Sequence, residues 1–100
     1  MFGPQPKGTW TARIAAAPFK HLRVGDRCVV SEPFSDYDGD LHATGESWTF
    51  LTQHFVPYHD GLSLFVSLDG VQEWQIRLQW TPEGQTAVID RLEHHVKVVG

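Results

Sequence analysis

The stretch VQEWQIRLQW, Val71 to Trp80, alternates Trp74, Ile76, Leu78 and Trp80 with Gln75, Arg77 and Gln79. A period of two belongs to an extended chain, because successive side chains of a strand point to opposite faces. A helix would need its apolar residues three and four positions apart. The stretch is therefore a strand with one face in a core, and the rest of the chain is read outward from it.

Immediately upstream, LDG at Leu68–Gly70 is a tight turn and LSLFVSL at Leu62–Leu68 is a short apolar run, so the two runs form a hairpin. VPYHDG, Val56 to Gly61, is a second turn, with Pro57 fixing one dihedral and Asp60-Gly61 supplying a turn dipeptide. ESWTFLTQHF before it places Trp48 and Phe50 on one face of a strand and Leu51, Gln53 and Phe55 on the other. A first strand runs from about Arg27 to Ser31 and closes at Pro33, since proline cannot donate to a central ladder. Beyond Trp80 the period lengthens. Thr81 is placed as N-cap, Pro82 at the first helical position and Glu83 in the first turn, and Val88, Ile89, Leu92 and Val96 form a buried helical stripe. Gly84 weakens the first turn, so a start at Thr86 is the alternative. VKVVG ends the chain as a short closing strand. The expected fold is mainly β with one C-terminal helix: a small, strongly bent antiparallel sheet or an SH3-like barrel of four to five strands.

A chain of 100 residues supports one hydrophobic core. With 41% hydrophobic and 20% charged residues it is too apolar for disorder, and four Trp, six Phe and two Tyr help a short chain fill that core. Residues 1–18 carry three of the six prolines and no sustained period, so they are expected to form a proline- and glycine-rich N-terminal extension, with 19–100 as a single β-rich domain. Trp10 and Ile14 are the residues of that arm able to dock on the body. The formal charge of −4 and the scattered Lys and Arg argue against a phosphate backbone as partner, so no nucleic acid is expected. Cys28 stands alone and forms no internal disulfide, and no apolar run approaches the roughly 20 residues of a membrane span. MFGPQPKGTW has no cationic region followed by an apolar run, so a cytoplasmic location is expected, with no membrane partner.

The densest concentration of chemistry is SDYDGDLHATGESW, Ser35 to Trp48. An EF-hand loop needs acidic ligands at positions one, three and five, glycine at six and glutamate at twelve. With Asp36, Asp38 and Asp40 at the first three of these, Leu41 and Ser47 fall where the glycine and glutamate belong, and the match fails. A divalent-cation site of another kind, built from Asp36, Asp38 and Asp40 with His42 or Glu46, is kept as the alternative to an ordinary acidic turn. His42, Glu46, His54 and His59 match no established zinc spacing, while His94 and His95 suit the end of a helix dipole. Pairing Asp38 or Asp40 with Glu46 or Asp60 as acid and base has no supporting motif, and Cys28 lies inside an apolar strand, so no catalytic residue is assigned and no cofactor is expected.

The string PFSDYDGDLHATGESWTFLTQHFVPYHDGLSLFVS, followed by IRLQW and a terminal helix, resembles a family of short, mainly bacterial domains of unknown function. Phe34, Asp36, Gly39, His42, Gly45, Glu46, Trp48, Phe50, Leu51, Phe55, Pro57, Tyr58, Asp60, Gly61, Leu62, Phe65 and Trp80 carry the resemblance, which runs from about Leu22 to Val96. It implies a fold unit and no activity. The expected function is a noncatalytic protein or peptide interaction module whose 35–46 and 56–61 loops form one rim, with Asp36, Asp38, Asp40, Tyr58 and Asp60 meeting the partner. An acidic loop beside exposed rings suits a basic or proline-rich segment. The alternatives are the divalent-cation domain and a structural homodimer subunit that hides its extra aromatics; monomer and homodimer are both open.

Overall fold

The computed structural model describes residues 1–99. Its strands are β1 (Phe2–Gln5), β2 (Arg27–Val30), β3 (Phe34–Ser35), β4 (Leu41–His42), β5 (Ser47–Val56), β6 (Gly61–Ser67), β7 (Glu73–Gln79) and β8 (Val96–Val99). Two short helices, α1 (Thr86–Asp90) and α2 (Leu92–His95), precede β8, and a 3-10 turn at Pro57–His59 joins β5 to β6. Six strands form one antiparallel sheet in the order β1-β7-β6-β5-β2-β8, and β3 pairs with β4 as a separate small hairpin.

The alternation in β7 is realised as expected: Ile76 and Leu78 are buried, and they lie opposite Leu64 and Leu62 of β6. Trp48, Phe50 and Val66 extend that core, and Ile89 and Leu92 close it from the helices, Val88 being half-buried; Val96, expected in the same helical stripe, is buried too but as the first residue of β8, in extended conformation. Trp80, the last apolar member of the β7 period, lies past the end of the strand and is 36% exposed, edge-on to Phe19 and Phe55.

The sheet is larger than the four to five strands expected, and it ends in two edges, β1 and β8. The added strand is β1. Residues 1–18, expected to lie outside the sheet, supply its outer edge through Phe2 opposite Gln75 and Gln5 opposite Glu73. The turn that follows is fastened by buried Glu73, whose carboxylate accepts hydrogen bonds from the amides of Gly8, Trp10 and Thr11 and from the Thr11 hydroxyl. A buried carboxylate with that many donors needs no cation to offset its desolvation.

The β5 strand departs from strict alternation. Phe50 pairs with Val66 and Thr52 with Phe65, so Leu51 is one residue too many and forms a bulge. Past a bulge the inward and outward sets exchange faces. Phe55 therefore returns to the side of Trp48 and Phe50 and packs on the core, correcting the expectation that it would face away with Leu51 and Gln53. His54 and Val56 go to the opposite face. Thr52 also faces that way, and its hydroxyl bridges the arm to the sheet by donating to the Ala15 carbonyl at 2.9 Å and accepting from the Ala17 amide at 3.0 Å.

The helix begins at Thr86 rather than Thr81. The Gln85 amide donates to the Gln79 carbonyl at 2.7 Å, so it is lost to an intrahelical bond with Thr81. Arg91, at φ −115° and ψ 29°, then separates α1 from α2. Gly84 holds the tight connection because a Cβ there would lie 2.8 Å from the Gln79 carbonyl oxygen. Gly84→Ala is accordingly expected to cost about 1–3 kcal/mol, the range for overpacking. Urea unfolding of the two proteins checks this, and unchanged stability would show that the connection can shift at no cost.

Candidate functional site

Loop 35–46 is organised from within. Asp36, 2% exposed, accepts hydrogen bonds on Oδ1 from the amides of Asp38 and Asp40 at 2.9 and 3.0 Å, an arrangement in which an aspartate replaces backbone partners in a turn. Its Oδ2 meets His42 Nε2 at 2.8 Å and also the terminal ammonium of Met1. Across the ring, His42 Nδ1 meets Glu46 Oε2 at 2.5 Å, and the same oxygen accepts from Trp48 Nε1 at 3.1 Å. Phe34 stacks on the imidazole at 4.8 Å. Burial alone would lower the His42 pKa, but the Glu46 and Asp36 carboxylates outweigh it and raise the value. Burial would likewise raise Asp36; its hydrogen bonds from His42, the Asp40 amide and the terminal ammonium win and lower it. A carboxylate oxygen at each ring nitrogen favours the imidazolium form of His42, in which both nitrogens donate.

That arrangement decides what the aspartates can do. Both His42 nitrogens are engaged, and the ring separates Asp36 from Glu46. Asp38 pairs with the Arg77 guanidinium, and Asp40 with the Met1 ammonium. Among the described residues, no three His, Cys, Asp or Glu side chains are grouped to hold a metal ion. Cys28 is buried and its thiol is pushed up to about 11 by desolvation and then by Asp26, so it is held protonated.

Tyr37, at the crest of the loop, is 55% exposed, and its amide donates to the Arg77 carbonyl at 2.8 Å, docking the loop on the β7 edge beyond β1. Arg77 lies between two rings, 4.7 Å from the Phe2 centroid and 5.5 Å from that of Tyr37, with Asp38 across its Nε and Nη2. This holds a flexible cation in one geometry.

The other loop is the 3-10 turn. Tyr58 is 86% exposed and stacks on His59, while Asp60 takes φ +53°, a left-handed conformation that aspartate tolerates better than most residues. Its carbonyl accepts from the Trp80 amide at 2.8 Å, and Gln79 Nε2 donates to the His59 carbonyl. The turn is therefore tied to the end of β7.

Between these loops, on the face of the sheet away from the helices, lies a groove of about 540 Å³. Its floor is the set that the Leu51 bulge and the β6–β7 register place together: His54, Ser63, Phe65, Gln75 and Arg77. Tyr37 borders it from one loop and His59 from the other, while Trp10 and Ile14 of the arm form an apolar wall, with Trp10 5.4 Å from Phe65. The structure thus brings Tyr37 of one expected loop and Val56, His59 and Gly61 of the other to a common cavity, but Asp36 is buried beneath its loop. Asp38 reaches the cavity only through Arg77, and Tyr58 stands outside as a rim ring. Of the floor residues, His54 was weighed in the sequence only as a zinc ligand, and Gln75 and Arg77 appear there only as the polar phase of the β7 alternation.

The comparisons with known proteins agree with this frame. The family model described as domain of unknown function (DUF3601) matches residues 15–100. The structure of an integron cassette protein from the mobile metagenome of Vibrio cholerae superposes with a TM-score of 0.80 at 31% sequence identity, covering 84% of this chain and 95% of that one. No curated protein matches. The match over residues 15–100 places the chain in the DUF3601 family of domains of unknown function.

Proposed function

We propose that the protein is a noncatalytic interaction module that binds a protein or peptide segment in the groove between the 35–46 loop and the 56–61 turn. The observation that carries this reading is the groove itself: about 540 Å³, within the size range of ligand sites, and lined by aromatic rings beside polar groups. Tyr37 borders it as an exposed ring, a residue type that often anchors an interface, and Tyr58 is exposed on the neighbouring turn beside the lining residue His59. The acidic loop supports the site less through its carboxylates, which are occupied by neighbouring groups, than by presenting Tyr37 and bracing Arg77.

Selection of short peptides from a displayed random library tests the reading. Peptides recovered on the wild-type protein are expected to lose binding to Ser63→Trp, which fills the groove floor, and to Tyr37→Ala. They should still bind Lys97→Trp on the distant β8 edge. Peptides indifferent to Ser63→Trp, or an empty selection, would sink the assignment.

A further inference from the structure

The lining of the groove has a chemical bias that the chain as a whole does not share. Twelve Asp and Glu side chains give the protein a formal charge of −4, yet none of them lines the cavity. Its basic residues are Arg77, His54 and His59. Asp38 lies behind Arg77 and takes the Nε and Nη2 side of the guanidinium; Nη1 has no hydrogen-bond partner among the described residues. The end-on face, Nη1 with Nη2, is the second geometry in which a guanidinium receives a carboxylate. Directly opposite Arg77 in the ladder stands Ser63, whose hydroxyl oxygen accepts from Gln75 Nε2 at 2.9 Å and so keeps its own hydrogen to donate. Two residues further along β6, Phe65 begins the apolar end, walled by Trp10 and Ile14.

From this we infer that the groove takes an acidic peptide segment in which an aliphatic or aromatic residue stands two positions from an Asp or Glu. The carboxylate meets Arg77 and Ser63, and the apolar side chain lies against Trp10 and Phe65. Residues two apart on a strand are separated by about 6.6 Å, and an extended peptide running along β6 has the same repeat, which sets the spacing. The inference rests on the interaction-module reading and narrows its partner, replacing the basic segment expected from the acidic loop with an acidic one.

Titration of the isotope-labelled full chain with three peptides, followed by amide NMR, tests it. The probes are acetyl-Phe-Ala-Glu-amide, acetyl-Phe-Ala-Gln-amide and acetyl-Phe-Ala-Lys-amide. The Glu peptide is expected to give saturable shifts at Ser63, Gln75 and Arg77, with binding about tenfold tighter than the Gln peptide, as a charge-assisted contact implies, and weaker in added salt. The Lys peptide should bind least. Arg77→Gln should erase the preference for Glu over Gln, and exposed His54→Gln, a second variant that spares the Asp38 pair, should reduce it. Equal binding of the Glu and Gln peptides, or tighter binding of the Lys peptide, overturns the acidic preference and leaves the groove a binding site. Absence of saturable shifts with all three overturns both.

Discussion

His42→Ala should lower stability by about 3–5 kcal/mol, the cost of removing one member of a buried ionic cluster and leaving the others uncompensated. Without the imidazolium, Asp36 and Glu46 face a cavity, and Phe34 loses the ring stacked on it. Each kcal/mol is worth roughly 4–8 °C of melting temperature in a domain of this size, so the shift is large enough to read by differential scanning calorimetry. The effect also carries a pH signature. The folded pKa of His42 is raised above its ordinary 6.5, so the imidazolium contributes fully below about pH 6.5, and the contribution is lost as pH rises through the folded value. Asp36 has the opposite sense: its pKa is lowered from 3.8, so its contribution is present above that pH and is lost as pH falls through the folded value. The network is strongest between these limits. The difference between wild type and His42→Ala should therefore be greater at pH 5.5 than at pH 9. Equal differences at the two pH values would show that His42 acts through packing on Phe34 and not through its charge.

Glu73→Ala should release the N-terminal arm while leaving the remainder of the sheet folded. The substitution strips four donors of their acceptor at once, and an unmatched buried donor costs about 1–3 kcal/mol. The arm has a less costly escape than the core does: it can leave the β7 edge and hydrate its amides. The global loss is then limited to the free energy with which the arm docks, and the local effect is the larger one. Amide exchange at Gly8, Trp10 and Thr11 should accelerate strongly, and trypsin should cut after Lys7 and Arg13 faster than in the wild type, while β6 and β7 keep their protection. Acid should act in the same direction. Burial would raise the Glu73 pKa, but the Thr11 hydroxyl and the amides of Gly8, Trp10 and Thr11 lower it below 4.5, so its grip on the arm is present above that pH and fails as pH falls through the folded value. Unchanged protection of the three amides in Glu73→Ala would mean that β1 pairing and the Trp10–Phe65 contact hold the arm unaided. Because Trp10 and Ile14 wall the groove, arm release should also open its apolar end.

The elements legible in the sequence are those in which burial imposes a short-range rhythm. The β6–β7 hairpin follows from the alternation in VQEWQIRLQW and the LDG turn, and the burial of Ile89 and Leu92 from helical spacing. The closing strand follows from the β-branched run in VKVVG. In each case one face must be apolar over neighbouring positions, whatever element lies above it. The Ser35–Trp48 stretch was legible as an acidic turn, from its aspartates and glycines; that His42 would join Asp36 to Glu46 within it was not.

What escaped that reading depends on partners remote in the chain. Proline and glycine in the arm argued against a strand, and β1 exists because the edge of β7 and the Glu73 carboxylate accept it from residues more than sixty positions away. The Leu51 bulge leaves no mark in ESWTFLTQHF, since it arises from the register between β5 and β6, and it alone turns His54 into the groove and Phe55 toward the core. Gln75, Arg77 and Gln79 look the same in sequence whether their face meets water or lines a cavity. Periodicity records which side of a strand is buried; what covers the other side is set by long-range pairing, and in this protein the groove was built there.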